Sequence, residues 1–553
     1  MRLRTLCCCA ALCGLTSIPV RSQTQTKPVP HLEKRGAATQ LIVDGKPFLV
    51  LAGELGNNTS STLENMKPIW PALVEINLNT VLAAVAWSWI EPEEGQFDFS
   101  LVDGLIQDAR RNNLRLVLLW FGSWKNGTSS YCPAWVKRDF ERFPLVRDKD
   151  GKGREILSTF SEASVNADAR AFAALMRRVR QVDSQERTAI MIQVQNEVGV
   201  LGDSRDRCPA ANAAFAKPVP QELMDYLEKH KDALLPEFRG VWKAGGFKTS
   251  GTWEEVFGKG EAVDEIFMAW HYARYVNRVA EAGKKEYPLP MFVNAWLVQP
   301  RDKQPGDYPS GGPVDHTHDV WRAGAPRIDI LAPDIYLPEF GEICARYRRG
   351  ENPMLIPETR ADAANLFRAV GRYNAIGFSP FGIERQPDPE GLFAKSYAVL
   401  SQLTPLILAN QGKGTMDAAV AGANDPAQKV SLGGYTFSVS MGRGRWGVLP
   451  AAPPPAAGAP QPPPRGFAIF IWVGPDEYWV AGSGIVATVE PITPGPPLAS
   501  LASVEEGTFA DGRWVIGRRL AGDDTGQGGE ARASLRLPAT RVSILHVKLY
   551  RYR

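Results

Sequence analysis

Two short segments carry a glutamate straight out of an apolar run. Thr188-Ala-Ile-Met-Ile-Gln-Val-Gln-Asn196-Glu197 reads as a buried strand ending abruptly in Gln195, Asn196 and Glu197. Met354-Leu-Ile-Pro-Glu358-Thr-Arg360 repeats the pattern with a single glutamate. An apolar, β-branched run followed by polar residues marks a strand leaving the core at its C-terminal end. Two strands that each deliver one carboxyl group to a common rim have the arrangement glycoside hydrolysis requires. One carboxyl protonates the leaving oxygen and the other meets the positive charge developing on the sugar carbon, about 5–5.5 Å apart in retaining enzymes and about 6.5–9.5 Å apart in inverting ones. Asn196, beside Glu197, is placed to bond the sugar hydroxyl next to the reacting carbon.

The elements that must position these groups follow from the rest of the chain. Strand-like runs fall at Phe48–Glu54, Thr80–Trp87, Leu114–Gly122, Ile190–Glu197, Pro290–Trp296, Ile328–Tyr336, Met354–Glu358 and Ala375–Phe381. They are continuous rather than alternating, as in parallel strands covered on both faces. Helical patterns lie between them, among them Leu101–Asn112, Asp168–Val182 and Ala361–Val370. Eight such β-then-α units predict an α/β fold, a (β/α)8 TIM barrel, over residues 38–410. Glu197 then ends the fourth strand and Glu358 the seventh, facing one another across the mouth. Residues 200 to 289, with amphipathic stretches Val219–Lys231 and Val263–Ala282, read as helices added at the rim. Gln299 to Asp319 reads as a long rim loop, and Leu392–Asn410 as a closing helix.

Beyond the barrel the composition changes. Short strand-like runs separated by Gly and Asp turns (Tyr435–Met441, Gly466–Val473, Glu477–Val480, Gly484–Val489, Trp514–Arg518, Ala533–Leu537, Val542–Tyr552) predict a C-terminal all-β sandwich over residues 415–553. Pro450 to Pro464 reads as an extended loop within it. At the other end, two arginines and then an apolar run from Leu6 to Ile18 read as a signal peptide over residues 1–22, giving a secreted or periplasmic protein. Removing it leaves Cys132, Cys208 and Cys344, which excludes a disulfide scaffold. A net charge of +3 carries no nucleic-acid signal, and no later run reads as a transmembrane segment. The sequence leaves the oligomeric state open.

Further candidates sit at the predicted strand ends. Asn294 and Tyr336 close the fifth and sixth strands and are placed to bond Glu358 or the sugar. Glu54 ends the first strand and either reaches the sugar or pairs with a structural cation. Trp87, Trp120 and Trp296, with Trp89 and Trp124, lie at or just beyond strand ends, where they either stack on sugar C–H faces or fill the rim. His316-Thr-His318 lacks a matching donor set, so no metal is expected, and the chemistry calls for no cofactor.

Asn79-Thr-Val-Leu-Ala-Ala-Val-Ala-Trp-Ser-Trp-Ile-Glu91-Pro92-Glu-Glu-Gly95-Gln-Phe97-Asp98-Phe99 resembles the second-strand motif of glycoside hydrolase family 35, the β-galactosidases. Pro133-Ala134-Trp135 is similar to the family's Pro-Ala-Trp after strand 3, and the likeness extends over roughly residues 38 to 400. The resemblance implies that Glu197 is the acid/base and Glu358 the nucleophile of a retaining exo-β-galactosidase acting on oligo- or polysaccharides. Several residues depart from the family pattern. Ala84 stands where the family has a tyrosine, Ala86 and Ser88 replace Pro and Asn, Val198 follows Glu197, and Trp120 to Asn126 lack the family's Cys-Ala-Glu. The chain is similar to a divergent bacterial branch with a C-terminal β domain, which implies xyloglucan side chains as substrate. Another retaining β-glycosidase (arabinosidase, glucanase, mannosidase) and a non-catalytic carbohydrate-binding protein stay open as alternatives.

Overall fold

In a computed structural model, the structure describes residues 28–300, 302–349, 351–442, 465–525 and 533–553. The leader read over residues 1–22 and the Pro450–Pro464 loop lie outside the described residues. Eight parallel strands close into a barrel: β1 (Val50–Glu54), β2 (Thr80–Ala86), β3 (Arg115–Phe121), β4 (Ala189–Val194), β5 (Met291–Trp296), β6 (Ile330–Ile335), β7 (Leu355–Thr359) and β8 (Gly377–Pro380). Each strand pairs with its sequence neighbour, and β8 closes on β1. All eight coincide with the apolar runs of the sequence.

Those runs are continuous because both faces are buried. Val50, Ala52, Leu82, Ala84, Val117, Leu119, Met191, Phe292, Ile330 and Ala332 fill the interior. The alternate residues, such as Val81, Leu116, Leu118 and Val293, meet the surrounding helices. A small antiparallel sheet (His31–Arg35, Ala38–Val43, Lys46–Phe48) adds Leu41 and Val43 to the interior cluster, plugging the barrel away from its mouth.

The helices begin where capping residues stand. Ser161 accepts a hydrogen bond from the Ser164 N–H at the start of Glu162–Asp183, the use expected of a serine at that position. The segment Val263–Ala282 is not a rim addition. It belongs to Glu261–Glu286, a helix of 26 residues that crosses from β4 to β5 and packs along Glu162–Asp183. Its mixed pattern arises because it is buried on most of its circumference, with Phe172 lying against Gly283. The shorter helices Pro209–Phe215, Gln221–Lys229, Pro236–Ala244 and Trp253–Phe257 are the insertion proper.

Among the described residues the C-terminal region forms two antiparallel sheets from ten strands: β9 (Met416–Gly422), β10 (Gln428–Leu432), β11 (Tyr435–Met441), β12 (Arg465–Gly474), β13 (Glu477–Ser483), β14 (Ile485–Pro491), β15 (Leu498–Ala510), β16 (Arg513–Leu520), β17 (Ser534–Leu537) and β18 (Ser543–Tyr552). One sheet runs β9-β12-β13-β18-β15-β16 and the other β10-β11-β14-β17. Ala468 and Phe470 of β12 face the second sheet, whereas Phe467, Ile469 and Ile471 face the barrel helices. That double burial explains the unbroken apolar run of β12.

By length and hydropathy alone the helix Leu392–Asn410 could cross a membrane. It is instead a wall of this core: the Tyr397 hydroxyl donates to the carbonyls of Ala52 and Phe378 at 2.7 and 2.8 Å, and Leu400, Leu403 and Ile407 are buried.

Candidate active site

The end of β4 is built to hold an unusual backbone. Gln195 has φ +65° and Glu197 φ +46°, both in the left-handed region that costs a non-glycine residue about 1–2 kcal/mol. A buried network pins them. Gln195 Nε2 donates to Asp168 Oδ2 at 2.7 Å, and its Oε1 accepts the Trp124 N–H at 3.1 Å. Asp168 also accepts from Trp120 Nε1 at 2.8 Å and from Ser123 Oγ at 2.6 Å. Gly122 leaves room for the network, since a Cβ there would lie 2.3 Å from Trp120 Nε1. The Glu197 N–H donates to Asn294 Oδ1 at 3.0 Å, and its carbonyl accepts the Gly127 N–H at 2.9 Å. The strand therefore turns sharply and presents Asn196 and Glu197 to the mouth.

Glu358, at the end of β7, is brought to the same place. Its Oε1 accepts the Tyr336 hydroxyl at 2.7 Å. A third carboxyl joins them. Asp334, on β6, lies with Glu197 and Glu358 so that one oxygen of each falls within 4.8 Å of the others. Asn294 bridges two of the three, because its Nδ2 donates to Asp334 Oδ2 at 2.7 Å while its Oδ1 holds the Glu197 N–H. The β6 register places Asp334 beside Glu358.

So many buried acids in one space cannot all carry charge. Burial pushes Glu197 up to about 7, and Glu358 pushes in the same direction while Lys125 opposes it. Asp334 is driven well above the carboxylate range, first by burial and then by Glu358, Glu197 and Glu54. Glu54, at the end of β1, is likewise raised well above it by burial and by Glu358. Lys125, only 4% exposed on the loop after β3, is the cation facing them. Both amide atoms of Asn196, Asp334 Oδ1 and Glu358 Oε2 are buried and find no conventional donor or acceptor among the described residues. Polar atoms left open at a barrel mouth are available to a ligand.

The three carboxyl oxygens are close enough to surround a hard cation. However, the Tyr336 hydroxyl and the Asn294 amide already point their positive ends into the cluster. That donor arrangement suits proton transfer. His316 and His318 point apart: His316 Nε2 meets Glu265 Oε2 at 2.7 Å, whereas the His318 ring packs edge-on against Tyr347.

Of the candidates read from sequence, Glu197, Glu358, Asn196, Tyr336 and Glu54 gather at the mouth, and Trp296 stands half-buried beside them. Three readings are corrected. Trp87 is fully buried, donates to Glu91 Oε2 at 2.6 Å and packs edge-on against Trp135, so no ring face is free for a sugar. Trp120 is fully buried and serves Asp168. Asn294 bonds neither Glu358 nor open space, because it ties Glu197 to Asp334. Glu91 anchors the loop after β2 by accepting the Gly95 N–H and pairing with Arg170.

Sequence reasoning passed over Asp334, Lys125 and Asp168. Asp334 did leave a signal: an acid inside the apolar run Ile328–Tyr336, two residues before Tyr336 and therefore on the same strand face.

Residues 61–242 match the glycoside hydrolase family 42 model, described as Beta-galactosidase, and residues 393–532 match a domain of unknown function (DUF5597). Family 42 is a different family from the family 35 that the second-strand motif resembles. A beta-galactosidase of Xanthomonas manihotis is 27% identical over 191 residues, 32% of this chain and 28% of that protein. A beta-galactosidase structure from Bacillus circulans sp. alkalophilus has a TM-score of 0.44 and 15% identity, covering 65% of this chain and 57% of that one. The catalytic domain of a beta-amylase from Paenibacillus polymyxa has a TM-score of 0.40 and 11% identity, covering 61% and 92%. The chain thus spans under a third of the curated relative and under two thirds of the Bacillus circulans structure.

Proposed function

We propose that the chain is a glycoside hydrolase of the β-galactosidase type, retaining and exo-acting, with Glu358 as nucleophile and Glu197 as acid/base. The observation that carries the reading is the pair of glutamates from β4 and β7 in one buried mouth, one of them raised to about 7. An acid that must hold its proton until the leaving oxygen arrives needs such a value, and oxygens within 4.8 Å fit the short gap of double displacement better than the wider gap that houses a water. Tyr336 supplies the hydrogen bond that keeps Glu358 aimed. Glu358 attacks the anomeric carbon as Glu197 protonates the departing oxygen; Glu197 then takes a proton from water as the sugar is released from Glu358.

The match over residues 61–242 supports galactose as the sugar. The motif over residues 79–99 supports a place near family 35, whose bacterial branch makes xyloglucan side chains the natural substrate to test first. A cavity of about 530 Å³ lies between the inserted helices and the loops after β5 and β6, lined among others by Phe238, Glu265, Leu297, His316 and Leu337 and by none of the clustered acids.

Hydrolysis of an aryl β-D-galactoside by the native protein and by Glu358→Ala is the test. Release of the aryl group by the native protein alone supports the reading. A native protein inert on galactoside but active on arabinoside, glucoside or mannoside overturns the sugar. Sugar binding without turnover, unchanged in Glu358→Ala, overturns the enzyme.

A further inference from the structure

The proposed double displacement uses Glu197 and Glu358 and leaves the third buried acid, Asp334, without a role. Asp334 is 1% exposed, sits on the rigid strand β6 and is fixed by the Asn294 amide on Oδ2. Its other oxygen, Oδ1, faces no conventional donor among the described residues, and one oxygen of Asp334 lies within 4.8 Å of one of Glu197 in the buried cluster. Two carboxyl groups buried that close together are not both ionised, so one of them carries a proton. The more deeply buried partner keeps it, because an ion is least tolerable where solvent is most excluded. Asp334 is that partner, since Glu197 is 6% exposed.

We propose that Asp334 is a positioning residue for the acid/base, donating its carboxylic O–H to the Glu197 carboxyl and so holding that group toward the leaving oxygen. The inference rests on the reading of Glu197 as acid/base. When Glu197 passes its proton to the departing oxygen, it becomes a carboxylate in a buried site, while Glu358 gives up its own charge to the bond it forms with the sugar. The Asp334 O–H, aimed beforehand by Asn294, then bonds that new charge, and its own proton stays on Asp334. A neutral acid kept protonated to donate a hydrogen bond at a developing charge is an established device of apolar sites. The other charged or titratable groups facing the pair are Glu54 from β1, Lys125 after β3, Tyr336 at the end of β6 and Glu358 from β7.

Two variants separate this role from a structural one. Asp334→Asn keeps an N–H donor toward Glu197, and Asp334→Ala removes it. The titration of Glu197 is read directly by ¹³C NMR of carboxyl-labelled full-length protein, assigned against Glu197→Gln. Loss of the donor makes ionised Glu197 harder to form. Its midpoint therefore rises by a full pH unit or more in Asp334→Ala and stays close to native in Asp334→Asn.

In kinetics the alkaline limb of kcat/KM moves the same way. Cleavage of a phenyl galactoside, which needs the acid, falls at least tenfold more in the Ala variant than cleavage of a dinitrophenyl galactoside, which does not. A midpoint that falls in both variants means Asp334 is ionised in the resting protein and overturns the proposal; so does a midpoint unmoved in Asp334→Ala. The NMR reading does not need turnover. If the native protein hydrolyses no glycoside, the functional reading fails, while the assignment of the shared proton still stands or falls on the titration.

Discussion

At the scale of single residues the account depends on how charge is distributed among buried acids. Glu197 titrates at about 7, raised chiefly by burial, so it is protonated and competent as an acid below that pH. kcat/KM on a poor leaving group should therefore fall as pH rises through about 7, and Glu197→Gln should lose about 10²–10⁴-fold on the same substrate. A pH–rate profile of native protein and variant checks both.

The same shift predicts stability. Native Glu197 binds a proton up to about pH 7, whereas an unfolded glutamate releases it near 4.3. Stability is thus lost as pH climbs through that window, and the cost is complete above it. Glu197→Gln should raise Tm at pH 8 and leave it little changed near pH 4, measured by calorimetry. Active groups held in unfavourable places commonly cost stability in this way.

At the scale of elements, the critical feature is the turn after β4. Two left-handed non-glycine residues persist there because their surroundings over-determine them, Asp168 holding Gln195 and Asn294 holding Glu197. Asp168→Ala leaves Trp120 Nε1, the Ser123 N–H and Gln195 Nε2 without an acceptor, at about 1–3 kcal/mol for each buried donor. The variant should unfold at lower temperature and lose kcat more than affinity, because the turn that presents Glu197 is no longer held at Gln195. A variant with unchanged activity would mean that the turn is held by other contacts.

The eight barrel strands were legible because burial on both faces writes an unbroken apolar run, and Glu197 and Glu358 because they interrupt such runs. The corrections have equally physical causes. Trp87 and Trp120 lie at strand ends, but a strand end has two sides, and spacing alone does not say that these rings turn toward the helices. β15 was missed because a strand carrying Ser503, Glu505 and Glu506 on a half-exposed sheet lacks an apolar pattern. β9 was missed because Met416-Asp-Ala-Ala-Val-Ala-Gly is short on β-branched residues. Lys125 and Asp168 became visible only when the fold brought them to the site.

At the scale of the whole molecule, barrel and sandwich share one core. The helix Ala363–Tyr373 packs on β9 and β12 through Phe367 against Phe467, with ring centroids 4.7 Å apart. Arg372 pairs with Asp417 across the same seam, and Arg465 with Asp362. Phe467→Ala should cost about 3–5 kcal/mol and lower a single calorimetric transition. Two separated transitions, with only one shifted, would show that the units fold independently.

The central claim, a double displacement through Glu358, is tested most directly by trapping the intermediate. A 2-deoxy-2-fluoro-β-D-galactosyl fluoride, which forms the glycosyl-enzyme but releases it slowly, is incubated with the full chain, and the digest is read by mass spectrometry. The account predicts one fluorogalactosyl group, carried on the Glu358 carboxyl and absent in Glu358→Ala. A label on Asp334 or Glu54, or turnover of galactosides with an inverted product and no adduct, would contradict it.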